Sequence, residues 1–185
     1  MISELKDSDI LISRFYTEDI DNLFEAVRDS IEEVYVWLPW CHPDYSIQES
    51  IDWINNQIDA WDYANEYSFK IVDLKDGKII GGVGLNQIIK EHKVANLGYW
   101  IRSGYTGRGI ATNAALLCAK FGFEELCLNR IEIIAAVENV ASIKVAEKTG
   151  AKRDCILRNR LIVHDKIYDA VMFSLIPRDI DYKSS

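Results

Sequence analysis

The residues best suited to chemistry lie in one stretch, Gly98-Tyr-Trp-Ile-Arg-Ser-Gly-Tyr-Thr-Gly-Arg-Gly-Ile-Ala-Thr112. It reads as a strand, a glycine-rich turn and the first turn of a helix. Gly107 and Gly109 let the backbone turn sharply and approach a ligand closely, and Arg108 adds a cation. The helix that opens at once brings free N–H donors and the positive end of its dipole. That combination would hold an anion, and a pyrophosphate suits it. Other nucleotide fingerprints do not fit: no G-x-x-x-x-G-K-[ST] follows a strand, and Gly81-Gly-Val-Gly84 lies inside a strand pattern with no helix after it. A second group with binding potential is Val34-Tyr-Val-Trp-Leu-Pro-Trp-Cys41. Pro39 interrupts regular structure there and leaves Trp37 and Trp40 on a loop, either as buried aromatics or as a binding wall.

The elements that must position these residues follow from hydrophobic periodicity. Ile10–Phe15 is a strand, followed by a helix with Thr17 as its N-cap and Ile20, Leu23, Phe24, Val27 and Ile31 on one face. Ser46 and Glu49 form a capping box for a second helix that ends near Tyr63. From Tyr67 the period changes to two, and Asp76-Gly77 marks a hairpin into the strand Ile79–Leu85. A turn at Glu91-His-Lys93 leads into Val94–Ile101, which feeds the glycine turn and its helix. Arg130–Val137 is an apolar strand ending at Glu138-Asn139, and a short helix from Ala141 to Lys148 stops at Gly150. The last strands, Arg153–Arg158 and Tyr168–Ile176, flank a charged loop holding His164 and Asp165. The order β-α-α-β-β-β-α-β-α-β-β predicts an α/β fold with a mixed, mostly antiparallel sheet flanked by helices.

Composition bounds the reading. A chain of 185 residues, 49% hydrophobic and 27% charged, is expected to form one domain over 1–185, with its core at about 8–176. Cys41, Cys118, Cys127 and Cys155 contain no C-x-x-C pair and lie in or beside apolar runs, which predicts reduced, packed thiols, no metal site and a cytoplasmic location. The N-terminus is too polar for a signal peptide, and no apolar run reaches the roughly 18 residues of a membrane span. The net charge of −8 argues against a nucleic-acid partner. It is unevenly distributed: residues 1–66 carry 16 acidic against 3 basic residues, whereas residues 67–185 carry 13 against 18. An anionic ligand would then belong to the C-terminal part and a cationic one to the N-terminal part.

With that element order, the glycine turn resembles the GCN5-related N-acetyltransferases, and the likeness covers nearly the whole chain. The family's pyrophosphate motif [Q/R]-x-x-G-x-[G/A] matches Thr106-Gly-Arg-Gly-Ile-Ala111 at Gly109 and Ala111, with Thr106 where Gln or Arg is usual. Trp37-Leu-Pro-Trp40, Gly98-Tyr-Trp100, Leu128-Asn-Arg130 and Asn139-x-x-Ser142 followed by Gly150 are similar to the RimJ/RimL branch, which acetylates ribosomal-protein N-termini.

The resemblance implies that acetyl-CoA is the co-substrate and lies where the strand ending at Ile101 splays from the strand ending at Asn139. Its diphosphate would meet the N–H groups of Gly107, Arg108, Gly109, Ile110 and Ala111, and its pantetheine would pair with the backbone of Tyr99, Trp100 and Ile101. Asn139 matches a pantetheine contact and Ser142 a partner of the departing sulfur, while Asn139 also caps its helix in any case. Trp37 and Trp40 would line the acceptor side. The carboxylates usual in the family are replaced by Asn96 and Leu161, which leaves Glu138 as a substitute base, or water and proximity alone. The acceptor would be the N-terminal α-amine of a ribosomal or other basic protein, or a small cationic amine such as a polyamine. A non-catalytic acyl-CoA-binding module is the third reading, and whether the chain forms a homodimer is left open.

Overall fold

Alternation of apolar and polar residues makes strands of Tyr67–Asp73 (β3) and Val94–Ile101 (β5), and both show an alternating burial pattern over most of their length. The computed structural model describes residues 2–181. The other strands are β1 (Glu4–Lys6), β2 (Ile10–Arg14), β4 (Ile79–Ile89), β6 (Arg130–Ala136), β7 (Lys152–Val163) and β8 (Lys166–Leu175). The helices are α1 (Ile20–Arg28), α2 (Ile31–Val34), α3 (Ile47–Asp62), α4 (Ile110–Glu124), α5 (Val140–Thr149) and α6 (Pro177–Asp181). The strands form one sheet in the order β1-β2-β3-β4-β5-β6-β8-β7, antiparallel except between β5 and β6. This is the mixed, mostly antiparallel α/β fold that the sequence predicts.

One core buries Phe69, Leu85 and Leu97 of the sheet against Cys118, Ala119 and Phe121 of α4. A second gathers Phe15, Leu23, Val27, Cys41 and Ile54 from the region of α1, α2 and α3. Neighbouring residues of β5 serve the two: Tyr99 packs on the first and Trp100 on the second.

The sheet is only partly continuous. β5 and β6 pair through Val94–Arg130, Ala95–Ile131 and Asn96–Glu132 and then part. Beyond that point β5 stays paired with β4 as far as Gly81–Ile101, and β6 with β8 as far as Ala136–Ala170. A V-shaped gap opens between them, with α4 starting at the tip of β5 and α5 at the tip of β6.

Arg102, just past β5, fastens this region to the N-terminal helices. Buried to 7% exposure, it bonds Glu25 at 2.6 Å and Asp29 through both Nε and Nη2. Burial works against its charge, but the two carboxylates outweigh burial and raise its pKa. The next residue, Ser103, donates its N–H to Ser30 Oγ at 3.1 Å.

Several boundaries differ from the sequence reading. β1 is too short to show a pattern. The first helix divides into a 3-10 turn (Thr17–Asp19), α1 and α2, and Thr17 is not its cap: Asp19 Oδ2 accepts the Tyr16 N–H at 2.9 Å instead. The predicted loop around His164 and Asp165 is a two-residue turn with φ of 49° and 60°, and β7 and β8 extend up to it. Charge hid the second half of β7, beyond the predicted Arg153–Arg158, because it is an edge strand, exposed along nearly its whole length. Cys41 and Cys118 are buried, and burial pushes the Cys41 thiol up to about 11. Cys127 and Cys155 are exposed, contrary to the packed thiols expected, because one lies in the turn after α4 and the other on edge strand β7. No helix among the described residues is long and apolar enough to cross a membrane.

Candidate active site

The glycine turn has the conformation its sequence requires. Gly107 and Gly109 hold φ at +76° and +82°, and Gly109 is the left-handed N-cap of α4. A Cβ at either position would meet nothing within 4 Å, so no packing demands glycine; the backbone angle and open access do. Asn113 N donates to Gly109 O, while the N–H groups from Gly107 to Thr112 take no acceptor among the described residues. The first turn of α4 carries no acidic side chain. Arg108 donates to Gly104 O at 2.6 Å and lies 5.0 Å from the Tyr105 ring centre, which keeps a cation beside this helix end. Thr106 is exposed. Free donors, a helix dipole and a cation suit a diphosphate group.

At the other side of the gap, Asn139 caps α5: its Oδ1 accepts the N–H of Ser142 at 3.0 Å. The Tyr99 hydroxyl crosses from β5 to reach the Ser142 carbonyl and Ser142 Oγ, both at 3.0 Å. If the phenol donates to the carbonyl, its oxygen accepts the serine hydroxyl. Burial pushes the phenol up to about 12, against the opposing effect of the Ser142 bond, so Tyr99 is neutral at working pH. Glu138 is exposed at the end of β6 and lies 3.5 Å from Lys166 Nζ.

A cavity of about 420 Å3 opens on the opposite face of β5. Its floor is a bare patch of sheet where Gly84 faces Gly98 and Gly82 faces Trp100. The three glycines differ in cause. A Cβ on Gly82 would come within 2.6 Å of Trp100 Nε1, and one on Gly84 within 2.9 Å of Tyr67 O. A Cβ on Gly98 would meet nothing closer than Asn86 Nδ2 at 4.0 Å. Trp40, Trp53 and Trp100 line the cavity, and Trp40 meets Trp100 edge-on at 5.7 Å. Trp37 is outside this lining and packs against Tyr168 at 5.7 Å. The polar wall is Glu49, Glu66, His42 and Asn86, with no lysine or arginine among the described residues. Asn96 donates to Asn86 Oδ1 at 2.9 Å, and Leu161 is paired with Tyr168 in the β7–β8 ladder.

Sequence reasoning overlooked His42, Glu66 and the glycine floor. The floor did leave a signal: glycine at two alternate positions, 82 and 84, in a strand otherwise rich in β-branched residues. Nothing in the sequence joins His42 to Glu49, because their contact depends on the course of the loop between them. Arg28 holds that loop by donating to Pro43 O at 2.6 Å.

Known proteins share this architecture. The family described as Acetyltransferase (GNAT) domain matches residues 9–152. YdaF of Bacillus subtilis, named as a candidate ribosomal N-acetyltransferase, is 30% identical over 172 residues, 92% of each chain. A Vibrio cholerae structure, described as a candidate ribosomal-protein-serine acetyltransferase, superimposes with a TM-score of 0.82 at 28% identity, covering 94% of this chain and 97% of its own. The self-immunity acetyltransferase MccE, solved with acetyl-CoA and AMP, has the same fold with a TM-score of 0.88 at 21% identity, covering 95% and 97%. Matching over most of its length both in sequence and in fold, the chain belongs to the GNAT family of N-acetyltransferases.

Proposed function

We propose that the enzyme transfers the acetyl group of acetyl-CoA to the α-amine at the N-terminus of a basic protein, a ribosomal protein in the first instance. The observation that carries this reading is the cavity beside β5, walled by aromatic rings and two carboxylates and free of basic side chains among the described residues. Aromatic faces and carboxylates attract a protonated amine. The name carried by YdaF supports the ribosomal acceptor.

Acetyl-CoA would occupy the gap between β5 and β6. The N–H groups of Gly107 to Ala111 would hold its diphosphate beside Arg108, and the open edge at Tyr99, Trp100 and Ile101 would pair with pantetheine, with Asn139 contacting it from α5. A β5 N–H would polarise the thioester carbonyl. The amine reaches the thioester from the cavity side, attacks the carbonyl carbon and expels CoA thiolate, which Ser142 protonates. Trp40 walls the acceptor; Trp37 supports the loop from behind. Glu138, engaged with Lys166 and outside the cavity lining, receives no proton in this scheme.

An α-amine, with an ordinary pKa of about 7.7–8.0, loses its proton far more readily than a lysine amine at about 10.4. That difference favours N-termini over side chains. CoA release is to be compared between basic and acidic peptides, with free or blocked N-termini, at low and high salt. Free, basic N-termini are expected to be preferred, with the preference weakening in salt. Undiminished acetylation of lysine in N-terminally blocked peptides would overturn the α-amine assignment. The size of the cavity favours a second reading, a small cationic amine, and spermidine in the same assay decides between the two.

Gly98 supplies a further test, since a side chain there would project into open space. Gly98→Leu should fold normally and bind acetyl-CoA within about twofold of the parent, yet raise the acceptor KM by on the order of tenfold or more, the cost of filling part of a pocket. Calorimetry and steady-state kinetics read the two effects separately. An unchanged acceptor KM would show that the amine does not enter by this cavity.

A further inference from the structure

The reaction needs a proton acceptor, and neither Asn96 nor Leu161 supplies a carboxylate. The cavity wall offers another arrangement. His42 Nε2 lies 2.8 Å from Glu49 Oε1. The other oxygen of Glu49 is fixed by the capping box, accepting the Ser46 N–H at 2.8 Å and the Ser46 hydroxyl at 2.9 Å. These bonds, the backbone N–H first, hold the Glu49 carboxyl below the usual carboxylate range. An ionised carboxylate can only accept, so Nε2 must carry the hydrogen and Nδ1 must hold the basic lone pair. A carboxylate that fixes the tautomer of an imidazole is the arrangement that makes histidine an effective base. Nδ1 has no partner among the described residues, and His42 and Glu49 both line the cavity that Gly98 floors.

We propose that His42 is the general base of the transfer, accepting the proton of the acceptor ammonium at Nδ1 directly or through one water, and that Glu49 is its positioning residue. The inference rests on the reading of this cavity as the acceptor site. The ammonium gives up two protons on becoming an amide. His42 takes the first, freeing the nitrogen lone pair to form the C–N bond. As the C–S bond breaks, the sulfur leaves with its electron pair and receives a proton from Ser142, and the second nitrogen proton is returned to Ser142 through solvent. His42 then releases its proton to water. The other titratable groups that line the cavity are Tyr45 from the loop, Glu49 from α3, Glu66 before β3 and Tyr99 from β5.

The test uses acetyl-CoA with two probes, a basic peptide with a free N-terminus and spermidine. His42→Gln should lower kcat by about 100-fold, at the lower end of the usual contribution of a general base, with acetyl-CoA affinity by calorimetry within about twofold of the parent. The parent should show two acid limbs in kcat/KM, one that moves when the acceptor amine is changed and one that does not. His42→Gln should lose only the second. Glu49→Gln should lower kcat by about tenfold and displace that limb, while acetyl-CoA affinity stays within about twofold of the parent. Nitrogen NMR of the parent should find the hydrogen of neutral His42 on Nε2. If the parent acetylates either probe and His42→Gln matches it within about threefold at every pH, or if the hydrogen is on Nδ1, the base assignment is wrong. Failure of the parent to acetylate either probe would instead remove the acceptor reading on which the base depends.

Discussion

Replacing Gly109 with valine is expected to weaken acetyl-CoA binding by on the order of 100-fold, equivalent to losing one or two charge-assisted hydrogen bonds of about 1.5–3 kcal/mol each. The substituted side chain would project from the left-handed N-cap of α4 into open space, where it keeps a diphosphate off the free N–H groups. Valine at φ near +82° also costs about 1–2 kcal/mol of backbone strain, and each kcal/mol lowers Tm by about 2–4 °C for a chain of this size. Gly109→Asn separates the two effects, because asparagine enters the left-handed region at little cost yet still covers the cradle. Calorimetry and thermal melts should show weak binding in both variants and a lowered Tm only in the valine form. Parental affinity in Gly109→Asn would refute close approach of the ligand to this turn.

Ser142→Ala is expected to reduce the rate of the chemical step by about 100-fold, the contribution typical of a positioned acid, while leaving acetyl-CoA affinity nearly intact. A contact with sulfur would strengthen only as charge develops there, so the loss should fall on kcat rather than on binding. Tyr99→Phe should act through the same bond. Without the phenol, the serine hydroxyl loses a partner at 3.0 Å and the orientation that partner imposes. The double variant should therefore be little slower than Ser142→Ala alone, since the two residues work as one unit. Because the Tyr99 phenol is pushed up to about 12, it stays protonated below roughly pH 11, and no basic limb in kcat should be traceable to it. Single-turnover kinetics across pH measure all of this. Additive losses in the double variant would mean that the bond between them has no part in the reaction.

What could be read from the sequence was whatever a short stretch of backbone determines alone. Gly107, Gly109 and Gly150 were legible because only a left-handed conformation explains them, and all three have positive φ. The Ser46–Glu49 capping box was legible for the same reason, since its bonds span three residues. The second use of Glu49, as partner to His42, was not legible. It exists because Arg28, one helix earlier, pins the loop at Pro43, and such a contact has no periodic signature. The two loop tryptophans show the limit most plainly. Trp37 and Trp40 are three residues apart, yet one meets Tyr168 of β8 and the other Trp100 of β5, because a turn outside regular structure sends them in different directions. The far half of edge strand β7 carries no strand signal because its side chains are charged on both faces, which suits an edge but resembles a loop.

The parting of β5 from β6 has a consequence for the molecule as a folding unit. Past Asn96 and Glu132, each strand keeps its outer partner and presents an unpaired backbone edge to the other. The sheet is thus two smaller sheets joined by three residue pairs, with α4 as the strap between them. A ligand that bonds both edges takes the place of an absent strand. Were acetyl-CoA to bond both edges, it would add about 2.7 kcal/mol to the cohesion of the two halves when free ligand stands at 100 times its Kd. Without ligand, the backbone amides of Leu97–Ile101 and Ile133–Ala136 that point into the gap should be among the first in the sheet to exchange with solvent, and added acetyl-CoA should protect them.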